Sequence, residues 1–354
     1  MLSNWIANIR LAGLESSMLI GALDDGLVKL CNDDNVPVHK LDGAKAGMTG
    51  AYLTKSQTDL LKYKKMAGLK AGFALELLRT QKSDVLISDS DTAWLRDPRP
   101  FFEEGPFAIA NILVSTDCID TTADEICSAH FCGCIHVSFN TGIVFLRNNP
   151  ETIKFVEAWQ KKILDNNDLN IRDQAAFNDV LREGMQPLTQ VPGYELYPRQ
   201  ALKAWNNQVS VGVLPLLYFQ NGHSYFTQKL HERRSVKPYV VHATYQYGDG
   251  AVFPFGKRQR FREAGLWQMD GKDYHEGKFL AISWNGATRP EIRLALDIDT
   301  RVAVDKHFAE DRYRRATVRN AFALAQVLNR TLIMPRMLCY VDHMWKGLHR
   351  RQYL

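Results

Sequence analysis

The chain has 354 residues, 45% hydrophobic and 23% charged, enough to bury a sizeable core in one large domain or two smaller ones. Its 44 basic residues against 39 acidic give a net charge of +5, without the basic runs and interleaved aromatics of a nucleic-acid surface, so no nucleic-acid partner is expected. No apolar stretch is long enough to span a bilayer and no secretory leader opens the chain, so no membrane contact is expected of the chain itself.

Apolar residues recur at helical spacing from Trp5 to Leu14, and Ser17 to Leu23 reads as a strand. A helix follows around Gly26 to Asn32, then a strand at Val36 to Leu41 and a Gly-rich polar stretch through Thr54. The βαβ rhythm predicts a parallel, right-handed sheet. A doubly wound nucleotide-binding unit ordinarily opens on a strand, whereas this chain opens on a helix, so it reads as lacking a first strand, as a fragment would. Tyr63 to Thr80 is the next helix, with Leu69, Phe73, Leu77 and Leu78 on its apolar face and Lys64, Lys65 and Lys70 beside them.

That helix feeds Ser83 to Pro98, S-D-V-L-I-S-D-S-D-T-A-W-L-R-D-P, around which the chain is organised. Val85, Leu86 and Ile87 are too few for a helix and read as a strand buried in a sheet, with Asp89, Ser90 and Asp91 at its carboxyl end. In open α/β sheets ligands bind at that edge, and two carboxylates two residues apart on an extended chain face the same side. Such a pair suits a hard divalent cation, Mn²⁺ or Mg²⁺, whose open positions a diphosphate can fill; a solvated acidic turn is the other reading.

Pro106 to Val114 reads as a strand, followed by an insert in which Cys127, Cys132 and Cys134 cluster with His130 and His136. Zinc sites ordinarily need a second Cys pair, which is missing, so a disulfide, with Cys118 as a possible partner, or buried free thiols fit better. In S-F-N-T-G-I-V-F-L-R, Ile143 to Leu146 form a short buried strand, with Asn140, Thr141 and Gly142 just ahead of it. Glycine lets backbone approach a ligand and Asn offers both a donor and an acceptor to sugar hydroxyls; a plain turn is the alternative.

Thr152 to Leu164 is an amphipathic helix with Phe155, Val156, Trp159 and Ile163 inward. Asp173 and Gln174 head another, whose apolar face is Ala176, Phe177, Val180 and Leu181, and Asp173 there is either an N-cap or a site residue. The strand Val211 to Leu217 leads into P-L-L-Y-F-Q-N-G, containing Asn221 and Gly222, and Tyr239 to Val241 leads into His242. A histidine at a strand end facing the acid pair is a natural third metal ligand, although a lone histidine is more often just a satisfied polar residue. Gly256 to Ala264 supplies Lys257, Arg258, Arg260 and Arg262, either a solvated basic turn or cations for a diphosphate. Arg315 to Leu328 is a helix with Val318, Ala321, Phe322, Ala325 and Leu328 inward, and Thr331 to Met334 a strand. Asn329-Arg330-Thr331 is formally a glycosylation sequon in a tight connection.

Taken together, D-V-L-I-S-D-S-D-T-A-W-L-R-D-P, N-T-G-I, D-Q-A-A-F-N and V-H-A-T resemble, in order over about residues 4 to 340, the nucleotide-diphospho-sugar transferases of glycosyltransferase family 77, the plant and algal group that includes extensin arabinosyltransferases. The resemblance implies a GT-A fold, α/β and Rossmann-like with a mostly parallel central sheet, over residues 1–280, and the start of a carboxyl-terminal extension over 281–354. It implies metal ligation by Asp89, Asp91 and His242, and donor binding by Lys70, Asp89, Ser90, Asp91, Asn140, Thr141, Gly142, Asn221, Gly222, Lys257 and Arg258. Asp173 and Gln174 then lie on the catalytic face, and the cofactor is Mn²⁺ or Mg²⁺. The implied reaction is transfer of a pentose from UDP-arabinofuranose to arabinosylated hydroxyproline of a cell-wall glycoprotein, with retention, in the Golgi lumen as part of a type II membrane protein. Another UDP-sugar, xylosyl or galactosyl, and a glycoprotein or oligosaccharide acceptor fit the same fold. Two readings of other classes remain: a haloacid-dehalogenase-like phosphatase, whose motif wants Thr or Val where Ala93 stands, and a non-catalytic nucleotide-sugar binding domain.

Overall fold

The computed structural model describes residues 1–41, 57–103, 107–121, 137–187, 201–246, 252–283 and 300–335. The Gly-rich stretch before residue 57, the clustered cysteines and histidines of 127–136 and the end of the expected extension lie outside the described residues. The chain divides into two compact units, Met1–Gln268 and Met269–Leu354.

In the first unit the elements in order are α1 (Leu2–Leu11), β1 (Ile20–Ala22), α2 (Asp25–Asp33), β2 (Val38–Lys40), α3 (Gln57–Thr80), β3 (Val85–Ser88), β4 (Thr92–Trp94), α4 (Arg99–Glu103), β5 (Ile112–Thr116) and β6 (Phe139–Leu146). They continue with α5 (Pro150–Leu164), α6 (Asp173–Leu181), β7 (Gln186–Pro187), β8 (Ala201–Ala204), β9 (Val209–Val213), β10 (Phe219–Asn221), α7 (Leu230–Arg233), β11 (Val240–His242) and α8 (Phe253–Glu263). The second unit holds α9 (Lys272–His275), β12 (Phe279–Ala281), α10 (Thr300–Val327) and β13 (Thr331–Ile333), with β12 parallel to β13.

The main sheet runs β3-β6-β5-β9-β8-β7, and a three-stranded sheet runs β10-β11-β4. The expected α/β class stands, but the expected parallel predominance gives way to a mixed sheet. Of the five pairings in the main sheet one, β5 with β9, is parallel. The cause is β6, which inserts antiparallel between β3 and β5 and buries all eight of its residues. It starts at Phe139, so Asn140, Thr141 and Gly142 lie inside the strand and not ahead of it. β3, in turn, is a half-buried edge strand and not an interior one.

Both faces of the sheet are covered. Alternation sends Ile112, Val114, Val144 and Leu146 to one core with Phe155, Val156, Trp159 and Ile163 of α5 and Ala176, Phe177, Val180 and Leu181 of α6. Leu113, Ile143 and Phe145 face the other core, with Trp5, Ile6 and Ile9 of α1, Trp94, Phe102, Phe219 and Val240. The buried stripe of α3 is Ala67, Ala71, Ala74, Leu75 and Leu78, while Leu69, Phe73 and Leu77 are half-buried. Small residues let α3 approach α5 closely: a Cβ on Gly68 would stand 2.7 Å from a Leu164 methyl. In the second unit α10 buries Ala321 and Ala325, but Phe322 and Leu328, expected inward, are exposed. Asn329 is exposed as well, at φ 49° between α10 and β13.

Candidate metal and donor site

Asp89 to Asp91 form a tight turn, not an extended segment. The Thr92 amide and hydroxyl both donate to the Asp89 carbonyl, at 3.2 and 2.9 Å, and the Asp89 amide donates to the Gly142 carbonyl at 2.8 Å. Ser88, just before the turn, takes the indole N–H of Trp5 at 2.9 Å and of Trp94 at 3.0 Å on its hydroxyl, which also lies 2.9 Å from that of Thr92. The turn is thereby pinned to the apolar core beneath it, and Ser90 is left exposed at its tip.

β4 leaves this turn and pairs antiparallel with β11, Thr92 opposite His242, and the Ala243 amide donates to the Asp91 carbonyl at 2.9 Å. This register carries His242 to the acids. Its Nε2 lies 3.1 Å from Asp91 Oδ1 and 3.8 Å from Asp89 Oδ2, and one ligand atom from each of the three residues fits within 4.8 Å of the others. The set is one imidazole and two carboxylates, the borderline-to-hard donors that suit Mn²⁺ and, less well, Mg²⁺. Gly142 closes the site from β6: a Cβ there would stand 2.7 Å from His242 Nδ1 and 2.9 Å from Asp89 Oδ2. The opening arises in a bulge, where the β5–β6 register jumps from Val114–Val144 to Ser115–Asn140 and leaves residues 141–143 without partners on β5. Gly142→Ala is therefore expected to push His242 off the acids and weaken Mn²⁺ affinity about 10-fold or more, the scale of losing a ligand-orienting contact, as read by calorimetric titration with Mn²⁺.

Two lysines compensate the carboxylates. Lys70 of α3 lies 2.8 Å from Asp89 Oδ1 and 3.0 Å from Asp173 Oδ2, and Lys257 of α8 pairs with Asp91 Oδ2. Burial alone would lower the Lys70 pKa, but Asp89 and Asp173 together hold it above the ordinary lysine range. Burial likewise opposes ionisation of Asp91, yet His242 and Lys257 hold its carboxyl well below the usual range. His242 is pushed up, since Asp91 and then Asp89 outweigh the cost of burying its charge. Lys64 and Lys65, the other candidates on α3, lie apart from these groups: Lys64 reaches the Asn166 carbonyl and Lys65 is exposed.

Asp173 is the first residue of α6, after the N-cap Arg172. Its carboxylate accepts from Thr141 Oγ1 at 2.8 Å and pairs with Lys70, and it stays ionised despite burial because of Lys70 and these hydrogen bonds. Gln174 and Asn140 meet on Asp117, with Nε2 to Oδ2 at 2.7 Å and Nδ2 to Oδ1 at 2.8 Å. Asp117 was not legible in the sequence; its only signal is an acid following a strand. Asn221 has its amide on the carbonyls of Thr116 and Cys118, at 3.4 and 2.5 Å, and accepts from the Ser224 amide at 3.0 Å, a structural tie between β10 and the end of β5. Gly222 packs directly under the Thr244 backbone, where a side chain has no room. The basic segment is helix α8 and not a turn. Arg260 donates to the Thr244 carbonyl at 2.9 Å, and Arg258, its Nε buried with no hydrogen-bond partner among the described residues, lies 5.3 Å from the centre of the Phe255 ring. Cys118 is disulfide-bonded.

Residues 13–261 match the family model described as Nucleotide-diphospho-sugar transferase. Arabinosyltransferase XEG113 of Arabidopsis thaliana is 28% identical over 335 residues, 94% of this chain and 47% of that protein. UDP-galactose:fucoside alpha-3-galactosyltransferase of Dictyostelium discoideum is 27% identical over 198 residues, 53% of this chain and 26% of that protein. The chain thus spans about half or less of the length of these curated relatives. Among solved structures, mouse xyloside xylosyltransferase 1 in its apo form aligns with 14% identity and a TM-score of 0.35, over 69% of this chain and 90% of that one. Galactosyltransferase LgtC, in complex with donor and acceptor sugar analogs, aligns with 11% identity and a TM-score of 0.29, over 57% and 68%. With the family matched across most of its length, the chain belongs to the nucleotide-diphospho-sugar transferases.

Proposed function

We propose that this chain is a metal-dependent, retaining glycosyltransferase that moves L-arabinofuranose from UDP-arabinofuranose to arabinosylated hydroxyproline of a cell-wall glycoprotein, working in the Golgi lumen as the lumenal part of a type II membrane protein. The observation that carries the catalytic part is the convergence of Asp89, Asp91 and His242 between two lysines. The arabinosyl part rests on the Arabidopsis relative, and the galactosyl alternative on the Dictyostelium one. The phosphatase reading falls with the family assignment. Among the described residues no helix is long and apolar enough to cross a membrane.

Asp89, Asp91 and His242 would hold the ion, Mn²⁺ or Mg²⁺, which when bound offsets the charge of the donor diphosphate. Lys257, standing on Asp91, is placed to turn to a phosphate oxygen once its carboxylate has another cation, and Arg258 has a buried donor to give. Asp173, held ionised by Lys70 and Thr141, accepts hydrogen bonds from sugar hydroxyls. The bond from the anomeric carbon to the diphosphate oxygen breaks with its electron pair passing to that oxygen. The acceptor hydroxyl oxygen then bonds the anomeric carbon on the same face and gives its proton to the departing diphosphate. Gln174 lends a polar group to the oxocarbenium-like state between the two events.

A thermal-shift panel of UDP-arabinofuranose, UDP-xylose and UDP-galactose with Mn²⁺ tests the donor. The cognate sugar is expected to raise the melting temperature most, by mass action. A larger shift with UDP-galactose than with UDP-arabinofuranose would favour the galactosyl alternative.

A further inference from the structure

The geometry assigns Asp117 as a positioning residue of the transfer reaction, one that fixes which end of the Gln174 amide is free to act; the inference rests on the glycosyltransferase reading above. Asp117 directly follows β5 and its backbone is held on both sides. Its amide donates to the Ser138 carbonyl at 3.0 Å, and its carbonyl accepts from the Tyr245 hydroxyl. The next residue, Cys118, is disulfide-bonded and accepts from Asn221. The carboxylate so placed receives Asn140 on one oxygen and Gln174 on the other.

An ionised carboxylate only accepts hydrogen bonds, so both amides must present their NH₂ groups to it. A primary amide is otherwise nearly symmetric in shape and free to turn over. For Asn140 the consequence is that its carbonyl oxygen receives the Gly142 amide at 2.8 Å, which holds the strand where Gly142 lies against His242 and Asp89. For Gln174 the consequence is that its carbonyl oxygen, which takes no hydrogen bond among the described residues, is the end left over. The sign matters for catalysis. A carbonyl dipole stabilises the positive charge that develops on the sugar as the diphosphate leaves, whereas an NH₂ in its place opposes it. Asp117 thus acts through Gln174, and links it by way of Asn140 to the strand that closes the metal cluster.

The test is a double-mutant cycle on turnover with the donor that the thermal-shift panel selects. Asp117→Asn is isosteric but replaces one acceptor oxygen by an NH₂ that meets the NH₂ of one of the two partners, so that partner amide must turn over or lose its bond. Turnover is expected to fall about 10²-fold, with the donor KM within about threefold, the pattern of an interaction made in the transition state. In a Gln174→Ala background the same change is expected to add less than about threefold, because the group it orients is gone. Asp117→Glu, still acceptor-only, is expected to recover part of the loss. Near-normal turnover in Asp117→Asn, or losses that multiply in the double variant, would overturn the assignment in an active enzyme. Failure of Asp117→Asn and Asp117→Glu to fold would make Asp117 a stability residue instead. A wild-type chain that turns over no donor would overturn the transferase reading, and the assignment with it.

Discussion

Asp91→Asn is expected to abolish Mn²⁺-dependent UDP binding while leaving the fold in place. The change is isosteric, and the bond from the Ala243 amide goes to the Asp91 backbone carbonyl, so the β4–β11 register that delivers His242 survives it. What disappears is one ligand charge and the shared partner of His242 and Lys257. Lys257 is partly exposed and can turn to water, and His242 can become neutral, so neither is left as a stranded buried charge. Losing a direct ligand is expected to cost at least the 10- to 100-fold in metal affinity typical of losing a supporting contact. The pH profile adds a second reading. Metal binding needs an unprotonated imidazole, and Asp91 is the largest of the charges that raise the His242 pKa. Mn²⁺ affinity in the wild type is therefore expected to fall as pH drops through that raised pKa, and in the variant whatever affinity remains should persist to lower pH. Calorimetric titrations across pH check both outcomes. Unchanged Mn²⁺ and UDP affinity would remove Asp91 from the site.

Asp173→Asn is expected to lower turnover by about 10²-fold or more with UDP affinity nearly untouched, since on the proposed mechanism it removes one preorganised contact to the sugar. The carboxylate is not an N-cap. It sits inside the first turn of α6, accepts from Thr141, and shares Lys70 with Asp89 of the candidate metal cluster. An amide of the same shape keeps a weaker acceptor for Thr141 but cannot hold the ammonium electrostatically, so Lys70 shifts towards Asp89. Gln174→Ala is expected to give a loss of similar size, because no other group at the head of α6 replaces its amide. The two steady-state constants, with UDP affinity measured separately, decide the point. A variant losing UDP affinity in proportion to turnover would make Asp173 a nucleotide-binding residue rather than one acting on the sugar.

The three metal-binding candidates were legible because each stands in a short motif at the end of a strand that reads clearly as apolar. Their convergence was not. It depends on β4 pairing with β11 across nearly 150 residues of chain, roughly the separation that local periodicity cannot report. The mixed sheet is hidden for a related reason: the order of elements suggests βαβ crossovers, while β6 inserts between β3 and β5 and reverses the local direction. The α3 stripe failed differently. Leu78 is buried as its spacing implies, yet Leu69, Phe73 and Leu77 are only half-buried, because α5 lies so close that Ala67, Gly68 and Ala71 fill much of the interface. Asp117 carried no motif, since its importance lies in two amides brought from β6 and α6. Asn221 and Gly222 show the converse, a motif whose polar atoms and open space are used inside the fold.

Titration calorimetry of UDP into the whole chain, once with Mn²⁺ and once with EDTA, bears most directly on the claim that Asp89, Asp91 and His242 form the centre of a donor site. One-to-one binding with Mn²⁺ that vanishes in EDTA is the predicted result. Binding of equal affinity in EDTA, or none in either, would contradict it.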